Sequence, residues 1–214
     1  MIKIIKQILP KDRTYHVAVS MGTDSVAALL WMHWKGYRAV PLHFNHGLRP
    51  QNNAMQERFT ELCCDFGLDG IVGEGNGLST EAECRNARLE FYSTEANGGQ
   101  VVTAHHLDDW VESYLLNCFR GHPNHEPFEL ESSFGCFNVL HPFLLTSKKD
   151  FRQFLERNNY LKYVVQDETN GIVKGSRRNW VRHNILPEME KQRLSLEKYA
   201  KRKIESRIGS ICPG

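Results

Sequence analysis

The sequence predicts an α/β protein with a doubly wound, mostly parallel sheet and a basic helix near its C-terminal end. Short apolar runs alternate with longer stretches in which apolar residues recur at helical spacing, and this alternation is typical of βα units. Three of the apolar runs lead directly into polar segments rich in His, Ser and Asp. Because ligands of doubly wound sheets bind beyond the carboxyl ends of the strands, these segments are expected to line one crevice.

The composition fits a water-soluble protein that meets a polyanion at one end. Of the 214 residues, 24% are charged and 41% hydrophobic, and no apolar run reaches membrane-spanning length. The six cysteines have no Cys-x-x-Cys spacing, so reduced thiols and a cytoplasmic location are expected. Residues 174–207 carry a net charge of +7, from eleven Lys and Arg against four Asp and Glu. This segment suits contact with nucleic acid, and a solvated helix face is the alternative.

The first βα unit is predicted around the stretch from His16 to Trp31. The apolar run 16–19 indicates a buried strand, and it breaks at Ser20 into a short loop with glycine, hydroxyl and carboxylate groups. Ser25 marks the expected start of the helix. The free N–H groups of a first helical turn bind phosphate, and a carboxylate beside phosphate requires a divalent cation between them. The loop therefore predicts a phosphate site with Mg²⁺ at Asp24.

The later elements repeat the alternation. Strands are predicted at 38–44, 70–73, 101–104 and 137–143, the last as a strand or extended segment, and helices at 51–66, 80–96, 108–119, 147–158 and 187–207. Residues 121–133 are predicted as polar loop, 163–165 as a short extended piece and 167–176 as a turn. Ser79 or Thr80 can cap the helix that follows, and Pro187 is expected to open the last long helix. The predicted division is a main domain over 1–187 and a basic helical extension over 188–214.

A second chemical segment, Thr103–Glu112, holds two histidines and three carboxylates within ten residues at a predicted strand-to-helix junction. Carboxylates beside phosphate-binding amides suit a site for magnesium and pyrophosphate, whereas simple helix capping is the alternative. His43 and His46 have a spacing that suits zinc, but no second ligand pair stands at structural-site spacing. A polar loop lining the crevice is the favoured interpretation.

Five blocks of the sequence resemble, in order, those of tRNA(Ile)-lysidine synthetases, a branch of the PP-loop ATP pyrophosphatases with an adenine nucleotide alpha hydrolase-like, Rossmann-like fold. The blocks are Ser20–Ser25, similar to the family's Ser-Gly-Gly-x-Asp-Ser loop, His43–Arg49, Glu81–Arg88, Thr103–Gly121, and Asp167–Asn170 followed by Arg178–Pro187. Together they span Val17 to Pro187, which is most of the chain.

The resemblance implies a role for each matched position. The ATP phosphates would be bound by Ser20, Met21, Gly22, Thr23, Asp24, Ser25 and His43. The catalytic set would be Asp24, His105, Asp108 and Asp109, with Asp24 and Asp109 as Mg²⁺ ligands. Amino-acid and tRNA contacts would come from Glu81, Arg85, Arg88, Glu112, Arg178, Asn179, Arg182 and His183. An ion-paired helix face is the alternative for 81–88, and a basic turn is the alternative for 178–183.

The resemblance also implies a two-step reaction that uses ATP and Mg²⁺. The C2 position of an anticodon cytidine is first adenylated with loss of pyrophosphate, and free L-lysine then displaces AMP. The implied tRNA is the isoleucine tRNA with a CAU anticodon. The assembly state stays open, with a homodimer as one alternative.

Three departures from the family pattern bear on these expectations. Met21 stands where the family has its first glycine, and we expect its side chain to narrow the loop and weaken ATP binding. Residues 122–128 stand where the family has a glycine-rich run near the substrates, so the specificity for lysine or cytidine stays open. The extension after Pro187 is short, so its basic helix is the candidate tRNA contact. A thiolase-like PP-loop enzyme and a non-catalytic RNA-binding homologue are the alternative functions.

Overall fold

The computed structural model describes residues 1–165 and 177–211, and these residues form a sheet with helices on both faces. The strands are β1 (Thr14–Ala18), β2 (Arg38–Asn45), β3 (Ile71–Glu74), β4 (Gln100–Val102), β5 (Glu131–Phe134) and β6 (Phe137–Leu140). The helices are α1 (Thr23–Trp34), α2 (Pro50–Phe66), α3 (Glu81–Ala96), α4 (Leu107–Phe119), α5 (Lys148–Arg157), α6 (Arg177–Trp180), α7 (Leu186–Lys191) and α8 (Glu197–Ile211).

The sheet has the strand order β3-β2-β1-β4-β6-β5. All neighbouring strands run parallel except β5, which pairs antiparallel with β6. The chain moves outward from β1 through β2 to β3 and then returns to place β4 on the other side of β1. The strand order therefore reverses between β1 and β4, which is where doubly wound sheets bind their ligands. The predicted fold class is confirmed.

The helices cover the two faces of the sheet through separate clusters of buried side chains. On one face α1, α2 and α5 pack against β1, and α1 is buried along the continuous run Val26–Met32. Burial of one such side chain contributes roughly 2 kcal/mol. On the other face Tyr92 and Ala96 of α3 pack against β2, β4 and β6. This division of helices between the faces follows from the reversal of strand order.

The start of α3 confirms a predicted helix cap. The Thr80 hydroxyl accepts the backbone N–H of Glu83 at 3.2 Å, and the Glu83 carboxylate accepts the N–H of Thr80 at 2.9 Å. This reciprocal capping box satisfies two donors that the helix itself cannot pair. Two further hydrogen bonds from Ser79 to the Glu83 carboxylate are the largest cause of its low pKa. Together with those of Thr80, they lower the pKa of Glu83 to about 2. The cap fixes the start of a helix that later lines the candidate site.

The single helix predicted for residues 187–207 is wrong. The helical stretch begins at Arg177, passes through a π-helical turn at Val181–Ile185, and ends with α7 at Lys191. Arg193 takes a left-handed φ of 56°, and the Ser195 hydroxyl accepts the N–H of Glu197 at the start of α8. The left-handed conformation of Arg193 interrupts the helix, and no Gly or Pro in the sequence marks this break. The alternative interpretation of residues 178–183 as a basic turn is also wrong, because these residues are helical.

Two other segments differ from their sequence predictions. The sequence predicts a loop for residues 131–133, but they form most of β5, which a turn with Gly135 at φ +64° joins to β6. Residues Leu161–Tyr163 form a 3₁₀ turn, so only part of the predicted piece at 163–165 is extended. The predicted turn at 167–176, with the matched block Asp167–Asn170, lies outside the described residues.

Candidate active site

The segments that follow the parallel strands converge at one edge of the sheet. β1 leads into Ser20–Ser25, β4 into residues 103–109, and β6 into His141. Two adjoining cavities of about 820 Å³ and 610 Å³ open there, and Ser20, Asp24 and Glu81 line both of them. We call the larger one the loop cavity and the smaller one the histidine cavity. The predicted convergence of the chemical segments on one crevice is confirmed.

The Ser20–Ser25 loop is tied together by its own hydroxyl groups. The Ser25 hydroxyl accepts the backbone N–H of Ser20 at 3.1 Å and donates to the carbonyl oxygen of Gly22 at 3.1 Å. Helix α1 begins at Thr23 rather than at Ser25, with Gly22 as its N-cap. In the described part of the chain no side chain caps this helix. Its first-turn N–H groups and its positive dipole end therefore suit a phosphate in the loop cavity.

Met21 does not narrow the loop in the way predicted. Its φ is +61°, a left-handed value that is unfavourable for a side chain of this size. The side chain is fully buried in the cluster beneath β1 and lines neither of the two cavities. The Met21 carbonyl oxygen accepts the N–H of Val165 at 2.9 Å, which anchors the loop from behind. The effect of Met21 on ATP binding stays a prediction.

Three carboxylates surround the buried ring of His106. Asp24 and Asp109 each place an oxygen 3.4 Å from Nε2, and Asp108 places one 3.4 Å from Nδ1. Burial alone would lower the pKa of His106, but the hydrogen bonds and charges of these carboxylates outweigh burial and raise it to about 10. The imidazole is therefore a cation at neutral pH, and it balances part of the negative charge of its neighbours. We call the surface formed by Asp24, Asp109 and His106 the carboxylate wall.

The pair Asp24 and Asp109 has the chemistry of a magnesium site. Both carboxylates approach the same nitrogen, and Oδ1 of Asp24 is buried without a hydrogen-bond partner among the described residues. Protein sites commonly hold Mg²⁺ through one or two carboxylates, with the remaining ligands supplied by water and substrate phosphates. Within 1–165 and 177–211 no group of three or more His, Cys, Asp or Glu side chains is placed so that it could hold a metal ion by itself. The two carboxylates thus fit a cation that is shared with a bound nucleotide.

The histidine cavity has a wall of opposite character. His105 and His141 bring their Nδ1 atoms to 3.2 Å from each other, and the Thr103 hydroxyl lies within 3.0 Å of both. The ring of Phe128 packs against His105 with 4.7 Å between the ring centroids. Burial lowers the pKa of His105 to about 4 and that of His141 to about 3. Both imidazoles are neutral at pH 7, so this wall is polar but uncharged.

Arginine side chains complete the histidine cavity. Arg85 and Arg88 of α3 and Arg178 of α6 line it. Arg178 donates to the Ser113 hydroxyl at 2.8 Å, which ties α6 to α4. An anionic or aromatic ligand in this cavity would therefore meet guanidinium groups from two sides.

A partly buried ion pair holds the helical stretch 177–191 against α4. Arg182 donates to both carboxylate oxygens of Glu112, at 2.7 and 2.9 Å, and its guanidinium lies 4.0 Å from Asp109. The Glu112 side chain is only 2% exposed. Glu112 therefore holds Arg182 in place, and both residues support the carboxylate wall from behind.

Comparisons with known proteins agree with this architecture. The family model described as the PP-loop domain matches residues 1–189. The chain belongs to the PP-loop domain family. The tRNA(Ile)-lysidine synthase of Parabacteroides distasonis is 32% identical over 197 residues, which cover 86% of this chain and 44% of that protein. The Legionella pneumophila enzyme of the same name is 31% identical over 154 residues, or 69% of this chain and 35% of that protein. The chain therefore spans less than half the length of these curated relatives.

A solved structure supports the fold of this PP-loop domain. The U34-tRNA thiolase NcsA from Methanococcus maripaludis, solved with its 4Fe–4S cluster, superposes with a TM-score of 0.69 at 15% identity. The match covers 95% of this chain and 75% of that one. At this identity the likeness concerns the fold alone. No described helix of the PP-loop domain is both long and apolar enough to cross a membrane.

The PP-loop domain brings most of the predicted site residues to the cavities. The residues that line one or both cavities are Ser20, Gly22, Thr23, Asp24, Ser25, His43, Glu81, Arg85, Arg88, His105, Asp109, Arg178 and Asn179. Five predicted residues do not line either one: Met21, Asp108, Glu112, Arg182 and His183. The Asp108 carboxylate instead accepts the N–H of Lys148 at 2.8 Å, at the start of α5. His183 is exposed on the helical stretch 177–191.

Sequence reasoning did not single out His141 and Phe128, which line the histidine cavity of this PP-loop domain. His46 borders both cavities, as predicted for the polar loop that contains it. His141 follows β6 directly, as the predicted segments follow their strands, so the same rule would have found it. Phe128 lies in a segment without periodicity, and no comparable signal marks it.

Proposed function

We propose that this PP-loop domain catalyses a tRNA(Ile)-lysidine synthetase-like reaction, an ATP-dependent ligation that forms a carbon–nitrogen bond. The observation that carries the proposal is the meeting of Asp24, Asp109 and the Ser20–Ser25 loop with the arginine-lined histidine cavity at the reversal of strand order. The similarity to curated tRNA(Ile)-lysidine synthases at 31–32% identity supports the choice of substrates.

The loop cavity would hold the ATP phosphates. The first-turn N–H groups of α1 and the hydroxyls of Ser20 and Thr23 would bind phosphate oxygens. Asp24 and Asp109 would hold a magnesium ion, which when bound neutralises charge on the phosphate oxygens. His43 donates from Nδ1 to the Val19 carbonyl oxygen at 2.8 Å, and burial lowers its pKa. It stays neutral, and its Nε2 is buried without a hydrogen-bond partner among the described residues.

The histidine cavity would hold the cytidine and the free L-lysine. In the first step the C2 oxygen of the cytidine attacks the α-phosphorus, and the bond to pyrophosphate breaks. In the second step the lysine ε-nitrogen attacks C2, the bond from C2 to the AMP oxygen breaks, and the amine loses its proton. His105 would contact the base, and Arg88, Arg178 and Glu81 would position the substrates. The neutral His105 and His141 add no positive charge to that of the three arginines that line the same cavity.

The proposal also includes the isoleucine tRNA as substrate, a domain boundary at residue 187 and a cytoplasmic location. In α8 several basic side chains already have partners. Lys201 pairs with Glu197, and Arg207 donates to the Phe128 carbonyl oxygen and to Glu129. The remaining basic residues are Lys198, Arg202 and Lys203, and we assign to them any phosphate contacts that α8 makes. The assembly state is not part of the proposal, and a homodimer stays an alternative.

A thiolase-like reaction is less well supported by this chain's own residues. A 4Fe–4S cluster is held by several thiolates that converge on one place. Of the described cysteines, which are Cys63, Cys64, Cys84, Cys118 and Cys136, only Cys84 borders a cavity. A non-catalytic RNA-binding protein would keep the fold without turning over ATP, and the following assay separates it from the enzyme.

The test is pyrophosphate release from ATP and Mg²⁺ in the presence of tRNA and one free amino acid at a time. We expect release that requires tRNA, with radiolabelled lysine retained on the RNA. Release that requires tRNA but proceeds without lysine would keep the activation step and reject lysine as the nucleophile. No release from folded protein under any combination would contradict the enzymatic proposal.

A further inference from the structure

Two large aromatic side chains lie exposed at the end of α4, beside the helical stretch 177–191. Phe119 is 57% exposed and Trp180 is 50% exposed. Their ring centroids are 6.1 Å apart, and the ring planes meet at 67°. Single exposed apolar residues are common on protein surfaces, but an exposed pair of this size indicates a binding surface. We call Phe119 and Trp180 the aromatic pair.

The helix that carries Trp180 is held firmly although the ring itself is exposed. Val181, the next residue, is fully buried, and Arg182 forms an ion pair with the buried Glu112. The Asn184 side chain donates to the Trp180 carbonyl oxygen at 2.9 Å within the π-helical region. The rigid backbone presents the ring at little cost in conformational entropy, which favours a role in binding.

The surroundings of the aromatic pair are cationic. Arg120 directly follows Phe119, and Arg177 precedes Trp180 by three residues, so it lies on the same side of the helix. Neither arginine forms an ion pair with any other described residue. Two such guanidinium groups beside exposed rings favour a ligand with both negative charge and flat aromatic groups.

The aromatic pair is also continuous with the candidate active site. Arg178 and Asn179 stand immediately before Trp180 on α6 and line the histidine cavity and the loop cavity, respectively. A polymer whose reacting unit lies in the histidine cavity would therefore run over the aromatic pair as it leaves. Unpaired RNA has the required chemistry, because its bases stack on aromatic side chains and its phosphates contact arginine.

We infer that the aromatic pair, with Arg120 and Arg177, binds an unpaired RNA segment next to the target nucleotide, with a base stacked on Trp180. The inference rests on the proposed function for its choice of RNA, but it concerns a surface outside both cavities. Stacking on Trp180 supplies affinity that does not depend on salt. The two arginines supply the part that does.

The test measures binding of a fluorescently labelled RNA hairpin, with a CAU-containing loop, in the absence of ATP and lysine. Trp180→Leu should weaken binding about tenfold and leave the salt dependence unchanged, whereas Trp180→Phe should keep most of the affinity. The double variant Arg120→Ala/Arg177→Ala should reduce the slope of log affinity against log salt by about 0.7 for each phosphate that an arginine no longer neutralises. Blunt duplex RNA should bind equally well to the wild type and to Trp180→Leu.

Trp34 offers a matched control. It is 65% exposed, and Lys35 Nζ lies 4.1 Å from its ring centroid. Trp34 is the last residue of α1, whereas the Ser20–Ser25 loop lies at the first turn of that helix. Trp34→Leu should bind the hairpin as the wild type does. An equal loss in Trp34→Leu, or no difference between Trp180→Leu and Trp180→Phe, would overturn the inference and leave the pair as a protein contact. Because this assay needs no turnover, its result is independent of pyrophosphate release.

Discussion

His105 and His106 are adjacent in the chain, yet they belong to walls of opposite character. Three carboxylates surround His106 and raise its pKa to about 10, against the effect of burial. His105 packs against His141 and Phe128, and burial lowers its pKa to about 4. His106 is the more deeply buried of the two residues, so burial cannot account for its higher pKa, and the difference comes from the carboxylates.

The difference in charge suits the two walls to different roles in the proposed reaction. The carboxylate wall, formed by Asp24, Asp109 and His106, combines anionic ligands with a fixed cation, as a site for metal and phosphate requires. The histidine wall, formed by His105, His141 and Thr103, offers hydrogen bonds without charge, as a site for a neutral base requires. Consecutive residues of an extended segment point to opposite sides, and His106 has the extended φ of −131°. One short junction thereby supplies both walls.

Removal of a carboxylate from its wall should produce the largest effect. We expect Asp24→Asn and Asp109→Asn each to lower the rate of pyrophosphate formation by at least about 10²- to 10³-fold, because each replaces a charged ligand of the proposed magnesium site. Each should also lower the pKa of His106, which NMR titration of the imidazole in magnesium-free buffer would measure.

The control for these variants is Asp65→Asn. Asp65 pairs with Lys162 and accepts from the Tyr163 hydroxyl, and it lines neither cavity. This variant should keep wild-type turnover and the wild-type pKa of His106. Wild-type turnover in Asp24→Asn would contradict the assignment of the carboxylate wall.

Local patterns predicted those parts of the site that depend on strand ends. Ser20–Ser25 and Thr103–Glu112 follow apolar strands, and the parallel order places them together wherever the sheet forms. The opposite charge states of His105 and His106 could not be predicted in the same way. They depend on Asp24 from the loop after β1 and on His141 after β6, which are distant in sequence, and on the depth of burial.

The same reason explains the errors in the fold. β5 carries Ser132 and Ser133, which have no strand pattern, and it forms because β6 offers an edge to pair with. The break before α8 depends on the left-handed Arg193 and on the packing of Ala200 and Ile204 against the cluster that includes Trp110. Helical periodicity continues through this break, so a prediction from sequence alone extends the helix.

The two walls should also limit the stability of the fold at opposite ends of the pH range. His106 has a folded pKa above the ordinary value of 6.5, so its contribution is complete below pH 6.5 and is lost as pH rises toward about 10. His105 and His141 have folded pKa values below 6.5, so their contributions are complete above pH 6.5 and are lost as pH falls toward about 4 and about 3. Stability should therefore be greatest near neutral pH.

Urea unfolding at a series of pH values in EDTA would measure these limits as a fall in the free energy of unfolding on each side of neutral pH. His106→Gln should flatten the curve above pH 6.5, and His141→Asn should flatten it on the acid side. If the free energy of unfolding falls above pH 6.5 in His106→Gln as it does in the wild type, groups other than His106 cause the fall. That result would contradict the proposed contrast between the walls.

The smallest effect on chemistry is expected at Met21, which lies in the buried cluster beneath β1. The side chain lines neither cavity, so Met21→Gly should leave the affinity for ATP unchanged, contrary to the expectation from sequence. Loss of a fully buried Met should destabilise the fold by about 2 to 5 kcal/mol, and relief of the left-handed φ of +61° should return about 1 kcal/mol. Met21→Ala removes nearly the same packing but keeps the unfavourable φ. Met21→Gly should therefore be the more stable variant by about 1 kcal/mol in urea unfolding, and the reverse order would show that residue 21 is not left-handed.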